Sequence, residues 1–144
     1  MKASGFEILR QEMLQGCPVR SCPLHVSRLA YRSIKGLSCS GFGPIPGEGS
    51  ANAQICFIGR NPGVKEVERL RPFVGPAGRR YDRVLEGLKL ERLKCVTDNL
   101  VKCFTLENKP PPNLAVAKCT KKWLIPSLLS LPRLKLVVLL GRQA

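Results

Sequence analysis

Four of the seven cysteines are spaced as candidate metal ligands. Cys17 and Cys22 are separated by four residues near the N-terminus. Cys103 and Cys119 lie far downstream, on either side of a proline-rich segment at residues 110–112. Two close thiols and two distant ones suit a zinc ion or a four-iron four-sulfur (4Fe-4S) cluster, although zinc sites normally use tighter pairs. Buried reduced thiols are the alternative.

The remaining cysteines carry weaker signals. Cys56 and Cys95 lie in apolar segments, where a cysteine usually acts as a small hydrophobic residue. Cys39 lies in a glycine-rich segment at residues 38–49 and is assigned no role. The odd number of cysteines favours a metal or buried thiols over disulfides. Because charged residues interrupt the apolar ones at the N-terminus, no secretion signal is predicted, and we expect a cytoplasmic, intracellular protein.

A second group of candidate functional residues follows the apolar segment at residues 53–58. It reads GRNPG, from Gly59 to Gly63. The glycines permit close approach of the backbone to a ligand, Pro62 stiffens the turn, and the amide of Asn61 both donates and accepts hydrogen bonds. Such a loop is either a binding loop or an ordinary strand-to-helix turn.

Alternating strands and helices position both groups. An α/β fold with a parallel sheet is predicted, because consecutive parallel strands need helical crossovers. The chain of 144 residues suits a single domain spanning residues 1–144. Helices are predicted at residues 5–14 and 79–90, and a third is predicted to begin near Asn113 and to kink or end at Pro126. Strands are predicted at residues 54–58, 95–101 and 134–140. GRNPG then lies at the carboxyl edge of the sheet, where open parallel sheets bind ligands.

The charge of the chain points to a polyanionic partner. It has 24 Lys and Arg residues against 10 Asp and Glu, a formal net charge of +14. The basic residues are spread along the chain, with a basic stretch at residues 28–35, and this favours a basic face that binds nucleic acid. A solvated basic surface without a partner is the alternative. No membrane association is expected, because the apolar segment 134–140 is interrupted by Lys135 and is too short to span a bilayer.

Five motifs in order resemble those of the iron-sulfur uracil-DNA glycosylases, families 4 and 5 of that superfamily. They are GRNPG at residues 59–63, RPFVGPAG at 71–78, NLVKC at 99–103, CTKKWL at 119–124 and LGR at 140–142. The resemblance covers residues 17–141. It implies a three-layer sandwich around a parallel sheet. It also implies a DNA repair enzyme that hydrolyses the N-glycosidic bond of uracil in DNA, as a monomer, and leaves an abasic site.

The same resemblance implies that Cys17, Cys22, Cys103 and Cys119 hold a 4Fe-4S cluster of structural rather than redox character. The downstream pair matches the family closely. The upstream pair departs from it, because the family usually has two residues between these cysteines, so Cys17 or Cys22 is the less secure ligand.

Two further residues acquire roles from the resemblance. Phe73 would stack on an extruded uracil, the alternative being a core aromatic. Asn99 would pair with the uracil edge by donating to O4 and accepting from N3, which cytosine does not reciprocate. The alternative for Asn99 is a cap of the next turn.

The loop GRNPG differs from the GEAPG or GLAPG of families 4 and 5. Its asparagine resembles that of the mismatch-specific and single-strand-selective glycosylases, and this implies that Asn61 orients the attacking water. The backbone at Gly59 and Gly63 would approach the base. Glu66 is a weaker candidate for polarising the water, and Arg60 is assigned no role.

Relatives continue to a fourth strand and a His-Pro-Ser or similar motif, whereas this sequence ends at Ala144 and its only histidine is His25. We therefore expect a C-terminally incomplete domain that lacks the last strand and exposes the apolar segment 134–140 as an edge. Three functions stay open: a uracil-DNA glycosylase, a weakly active or inactive iron-sulfur fragment that binds nucleic acid, and a zinc-stabilised domain without a nucleic-acid role.

Overall fold

The computed structural model describes residues 3–25 and 43–142, so the predicted basic stretch 28–35 and Cys39 lie outside the described residues. The described strands form one sheet in the order β1-β3-β2-β4. Their bounds are Glu48–Gly49 for β1, Ile55–Gly59 for β2, Val96–Asn99 for β3 and Leu136–Leu139 for β4. The three predicted strands are therefore confirmed, with β2 shifted by one residue and with β3 and β4 shorter than predicted.

The sheet is mixed rather than fully parallel. Strand β2 pairs in parallel with β3 and β4, with Phe57 aligned to Thr97 and Val138. Strand β1 pairs antiparallel with β3, with Glu48 opposite Thr97. The prediction of an entirely parallel sheet is wrong at this edge, because a strand of two residues is too short to show an alternating pattern in the sequence.

The helices are α1 at Gly5–Gln15, α2 at Val64–Arg69, α3 at Pro76–Gly87, α4 at Asn113–Cys119 and α5 at Ile125–Leu129. The hydroxyl of Ser4 caps α1 by accepting the N–H of Glu7, and Gly16 ends it in a left-handed conformation (φ 119°). Helix α2 is an addition to the prediction, which has a loop at residues 64–69.

A π-helical turn at Thr120–Leu124 joins α4 to α5. Pro126 follows it in the first turn of α5, where a missing N–H interrupts no bond within that helix. The helical segment thus continues past Pro126, and the irregularity expected there takes the form of a widened turn directly before it.

Helices cover both faces of the sheet. On one face Tyr81 and Leu85 of α3 pack with Phe57 and Cys95, and the rings of Phe57 and Tyr81 meet edge to face at 5.2 Å. On the other face Phe6 of α1 joins a second cluster of residues from β2, β3 and the C-terminal helical segment: Ala53, Cys56, Ile58, Val96, Leu124 and Leu131. The predicted three-layer α/β sandwich is confirmed.

Strand β4 forms the other edge of the sheet. Its Leu136 and Leu139 remain 52% and 57% exposed, so the expected apolar edge is present among the described residues. Across the described parts of the chain, no helix combines the length and the apolar character that a membrane crossing requires.

Candidate functional site

An open cavity of about 1070 Å³ lies at the carboxyl ends of the strands, and we call it the strand-end pocket. Strand β2 contributes Gly59, β3 contributes Asn99, and the segment after β4 contributes Leu140. All of the base-binding and catalytic residues predicted from the sequence line it: Gly59, Asn61, Gly63, Glu66, Phe73 and Asn99. The fold therefore brings them together at the edge where the order of strands and helices places a ligand.

Gly59 is the point at which the aromatic and the amide side chains converge. A Cβ atom built on Gly59 would lie 2.3 Å from Cζ of Phe73 and 2.8 Å from Oδ1 of Asn99. Both distances are shorter than van der Waals contact, so a larger residue at this position displaces one of the two side chains. The glycine is required because the pocket closes to a narrow floor here.

Both the oxygen and the nitrogen of the Asn61 carboxamide form hydrogen bonds within the protein. Its Oδ1 accepts a hydrogen bond from Nε of Arg60 at 2.7 Å. Its Nδ2 donates to the carbonyl of Pro62 and to Oγ1 of Thr105, each at 3.1 Å. The side chain is half-buried and its orientation is fixed before any ligand binds.

Asn99 differs from Asn61, because its carboxamide has no hydrogen-bond partner among the described residues and lines the strand-end pocket. Its backbone, by contrast, is held on both sides. The N–H of Asn99 donates to Oδ1 of Asp98 at 2.7 Å, and its carbonyl accepts from Nζ of Lys102 at 2.7 Å. A polar side chain that is 3% exposed and has no protein partner is suited to pair with a ligand.

The Asp98–Lys102 ion pair behind Asn99 is buried, with the two charged atoms 2.6 Å apart. Both side chains are at most 2% exposed. Breaking such a pair leaves an uncompensated buried charge, so each partner depends on the other. The pair therefore anchors the end of β3 rigidly under the pocket.

Glu66 occupies a different position from the one expected of a residue that polarises water. Its carboxylate accepts the N–H groups of Gly63 at 3.0 Å, Val74 at 2.9 Å and Gly75 at 2.7 Å. The side chain is buried, and its two oxygens join the loop after β2 to the loop that carries Phe73. These contacts favour a positioning role for Glu66 over direct contact with water.

Phe73 has a left-handed backbone (φ 52°) that is uncommon for an aromatic residue. Arg92 stabilises this turn by donating to the carbonyls of Pro72 at 2.6 Å and Phe73 at 3.0 Å. The ring is half-buried and tilted against Tyr81 at 5.3 Å between centroids, with its edge at Gly59. Phe73 is therefore neither a fully buried core residue nor a mobile surface residue.

Arg92 is a site residue that sequence reasoning misses. Besides the two carbonyls, it forms ion pairs with Glu48 and Asp82, each at 2.7 Å, and lies over the ring of Tyr81. Glu48 in turn pairs with Arg71 at 2.9 Å. No local pattern marks Arg92, because its partners come from three separate segments.

The four predicted metal ligands also converge. Cys17, Cys22, Cys103 and Cys119 line one small cavity of about 10 Å³ together with Trp123 and other apolar residues, and we call it the cysteine cavity. The indole N–H of Trp123 donates to Sγ of Cys17 at 3.4 Å, and the backbone N–H of Lys102 donates to Sγ of Cys119 at 3.2 Å. Hydrogen bonds of this kind to sulfur are typical around metal-bound thiolates.

The thiols nevertheless do not stand in a metal-binding arrangement. No three His, Cys, Asp or Glu residues in the described ranges 3–25 and 43–142 are placed to hold one metal ion. The donor set of four thiols fits an iron-sulfur cluster in its chemistry.

Burial affects the protonation of the thiols in the cysteine cavity. Burial, then the neighbouring Cys119, raises the pKa of Cys103 far above the ordinary value for a thiol. Burial also raises the pKa of Cys119 to about 11, against the lowering effect of Lys102. Metal binding requires thiolates, so uptake of a metal here would release protons.

His25 lies near the cysteine cavity, where its Nε2 contacts the carbonyl of Cys17 at 2.9 Å. It is not among the residues that line the strand-end pocket.

Positive charge surrounds the strand-end pocket. Arg60, Lys65 and Arg142 contribute to its lining, where the acidic residue is Glu66. Helix α3, which begins at the pocket, adds exposed Arg79, Arg80 and Arg83. Exposed basic residues therefore lie beside the pocket, as a basic face that binds nucleic acid would require, and others such as Lys94 and Arg133 are exposed outside its lining.

Comparison with known proteins identifies the family. The family model described as "Uracil DNA glycosylase superfamily" matches residues 46–144, and the chain belongs to this superfamily. It is 35% identical over 101 residues to a type-4 uracil-DNA glycosylase of Sulfurisphaera tokodaii, an alignment that covers 69% of this chain and 45% of that protein. It is 32% identical over 125 residues to the type-4 uracil-DNA glycosylase of Archaeoglobus fulgidus, covering 87% of this chain and 55% of that protein. The chain thus spans about half the length of the curated relatives it matches.

Proposed function

We propose that this protein hydrolyses the N-glycosidic bond of uracil in DNA and leaves an abasic site. The observation that carries the proposal is the convergence of Asn61, Phe73 and Asn99 on the strand-end pocket around Gly59. Membership of the superfamily and the names of the relatives support the same reaction.

Recognition of the base rests on Phe73 and Asn99. An extruded uracil stacks on the ring of Phe73, whose edge meets the pocket floor at Gly59. The uncommitted carboxamide of Asn99 donates to uracil O4 and accepts the proton of N3. Cytosine carries a donor and an acceptor at the corresponding atoms, so its pairing with the same amide leaves two mismatched groups. This is the physical basis for selecting the deaminated base.

Hydrolysis requires one placed water and stabilisation of separated charge. The C1′–N1 bond breaks with its electron pair leaving on uracil, and the water oxygen forms the new bond to C1′. The proton lost by that water passes to the solvent or to the uracil anion. Asn61 orients the water, and Lys65 and Arg142, which line the pocket, favour the anionic base and the flanking phosphates.

The remaining predicted residues support this geometry. Gly59 and Gly63 let the loop backbone approach the base, and we assign Glu66 to holding that loop against the loop of Phe73. Cys17, Cys22, Cys103 and Cys119 are the residues that would hold a 4Fe-4S cluster. When bound, that group supplies a structural tie between the N-terminal segment and the segment after β3, with no part in the hydrolysis.

We further propose that the protein acts as a monomer on uracil-containing chromosomal DNA inside the cell. A formal net charge of +14 and a basic rim on one pocket are adapted to a single polyanionic partner. Binding is expected to weaken steeply with salt, because each neutralised phosphate releases a counterion.

The test is uracil release from a labelled oligonucleotide, followed by alkaline cleavage of abasic sites and gel separation. The purified chain is compared with Asn61→Ala and with Asn52→Ala, a matched change at an exposed asparagine outside the pocket. Scission by the parent and by Asn52→Ala, but not by Asn61→Ala, is the expected result. DNA binding without scission in all three proteins would instead favour a nucleic-acid-binding fragment.

A further inference from the structure

Arg60 connects the loop after β2 with residues 105–109. Its Nε donates to Oδ1 of Asn61 at 2.7 Å, and its Nη2 donates to the carbonyl and to Oδ1 of Asn108 at 2.7 and 3.1 Å. The planar guanidinium holds both contacts at once, which a lysine amine at the end of a flexible chain does not reproduce. Arg60 also lines the strand-end pocket.

The hydrogen bonds around Asn61 run in one direction. Arg60 only donates, so the amide atom that faces it is the oxygen. The hydroxyl of Thr105 donates to the carbonyl of Lys109 at 2.5 Å and accordingly accepts from Nδ2 of Asn61. Both protons of that amide are therefore committed, one to Thr105 and one to the carbonyl of Pro62.

One hydrogen-bonding position of the Asn61 amide is left for a ligand, the second lone pair of Oδ1. A water bound there donates one of its protons to Oδ1 and keeps an oxygen lone pair directed elsewhere. We propose that Arg60 is a positioning residue that fixes the Asn61 carboxamide in this orientation, so that Asn61 Oδ1 holds the attacking water. This inference rests on the proposed glycosylase function and assigns a residue to it.

A contact between Arg60 and a DNA phosphate is the competing role. The backbone of Glu107 and Asn108 is left-handed, with φ of 54° and 52°, and the bonds from Arg60 help to hold Asn108 in it. Turning the guanidinium towards a phosphate would release both Asn108 and Asn61. The geometry therefore favours the internal role.

The test is a double-mutant cycle on the full chain with Arg60→Ala, Asn61→Ala and the double variant. Single-turnover uracil release is measured at saturating DNA, and Kd is measured at several salt concentrations. We expect Arg60→Ala to slow release by about 100-fold, the scale of a misplaced reacting group, with little change in Kd. The double variant should be no slower than Asn61→Ala, because Arg60 acts through Asn61.

A phosphate contact predicts the opposite pattern. Arg60→Ala would then weaken DNA binding, lower the slope of log K against log salt by about 1, and have the same effect with or without Asn61. Lys65→Ala provides the matched control, since Lys65 is an exposed cation in the same lining without a contact to Asn61. In a variant with both changes, the fold-reductions in uracil release caused by Lys65→Ala and by Asn61→Ala should multiply. If Arg60→Ala behaves like Lys65→Ala, the positioning role is overturned.

A second measurement separates this proposal from the activity itself. Exchange of the side-chain amide protons of Asn61 is followed by NMR in the parent and in Arg60→Ala. We expect exchange to be about tenfold faster in the variant, the equivalent of about one hydrogen bond. A parent that releases no uracil would refute the proposed function and leave this comparison in force. Equal exchange rates in the two proteins would refute the positioning role.

Discussion

The strand-end pocket and the cysteine cavity, both predicted from the sequence, enclose about 1070 Å³ and about 10 Å³ respectively. In the pocket, some polar side chains are paired within the protein, as Arg60 and Thr105 are with Asn61, whereas the carboxamide of Asn99 has no hydrogen-bond partner among the described residues. In the cysteine cavity, thiols lie among apolar residues, and burial raises the pKa of Cys103 and Cys119. The pocket therefore offers a polar group to a ligand, whereas the thiols would bind a metal only as thiolates.

The two regions are nevertheless joined through β3 and the residues after it. Lys102 donates from its backbone N–H to Cys119 and from Nζ to the carbonyl of Asn99. The end of β3 therefore borders both cavities. If a substitution that alters one cavity leaves the function of the other unchanged, the residues between them do not couple the two cavities.

The largest effect is expected from removing one cysteine of the cavity. Cys103→Ala should abolish iron incorporation and the absorbance near about 400 nm that thiolate-bound clusters give, because a four-thiolate site loses a ligand. Iron content and the visible spectrum of freshly purified protein are the measurements. Cys56→Ala, a change at a buried cysteine outside the cavity, should keep both. Equal iron content in the two variants would contradict the assignment of ligands.

The next effect belongs to the pocket. Asn99→Ala should lower uracil release by about 100-fold, comparable to the loss of one preorganised donor in other enzymes, while iron content and DNA affinity stay at the parent level. Single-turnover release, metal analysis and a binding titration are compared with Asn52→Ala. Unchanged release would mean that the unpaired amide does not meet the base.

A smaller effect is expected from the network behind Phe73. Arg92→Lys keeps the charge but loses the forked contacts with Pro72, Phe73 and Glu48, and should destabilise the fold by about 1–3 kcal/mol. Urea unfolding measures the change. Arg80→Lys, an exposed substitution on α3, should stay within about 0.5 kcal/mol of the parent. If Arg92→Lys is equally neutral, the left-handed turn at Phe73 does not depend on this clamp.

The last effect is absent at neutral pH and concerns the titration of two buried core residues, Cys56 and Tyr81. Burial, then Asp98, raises the pKa of Cys56 from 9.0 to about 12, and burial raises the pKa of Tyr81 from 10.0 to about 12. The unfolded chain loses these two protons at lower pH than the folded chain does. The stabilisation of the fold by the protonated side chains is therefore complete below about pH 9 and is lost as the pH rises towards 12. Between its pKa in the unfolded chain and its pKa in the folded chain, each such group lowers the free energy of unfolding by about 1.4 kcal/mol per pH unit.

The measurement is the free energy of unfolding by urea between pH 9 and 11. Cys56→Ala should lose stability less steeply with pH than the parent, whatever its stability at pH 8. Identical slopes in the two proteins would show that Cys56 titrates alike in the folded and the unfolded chain.

The sequence predicts some parts of this molecule better than others, for physical reasons. Strands β2 and β4 are apolar runs, and β3 is flanked by apolar residues at 95–96 and 100–101. Because the carboxyl ends of parallel strands meet at one edge, the position of Asn61 and Asn99 follows from topology. Strand β1 and helix α2 are short and polar, and their stability comes from contacts rather than from pattern. The same holds for Arg92 and for the link between Arg60 and Asn108, because their partners are distant in the chain.

The cysteine set shows the limit of spacing arguments. Cys17, Cys22, Cys103 and Cys119 line one cavity, and their role as the ligands of one metal site stays a prediction. The arrangement of the four sulfur atoms depends on the packing of Trp123 and Val101 around them, which no spacing encodes. Spacing along the chain therefore predicts which cysteines come together, and it does not predict how their sulfur atoms are arranged.

The most direct test of the account is an NMR titration of the protein with free uracil, with cytosine as the matched control. It monitors the side-chain amide of Asn99, assigned by its loss in Asn99→Ala. We expect uracil to shift this resonance and cytosine at the same concentration to leave it unchanged. No shift with uracil, or equal shifts with both bases, would contradict the claim that the strand-end pocket recognises uracil through Asn99.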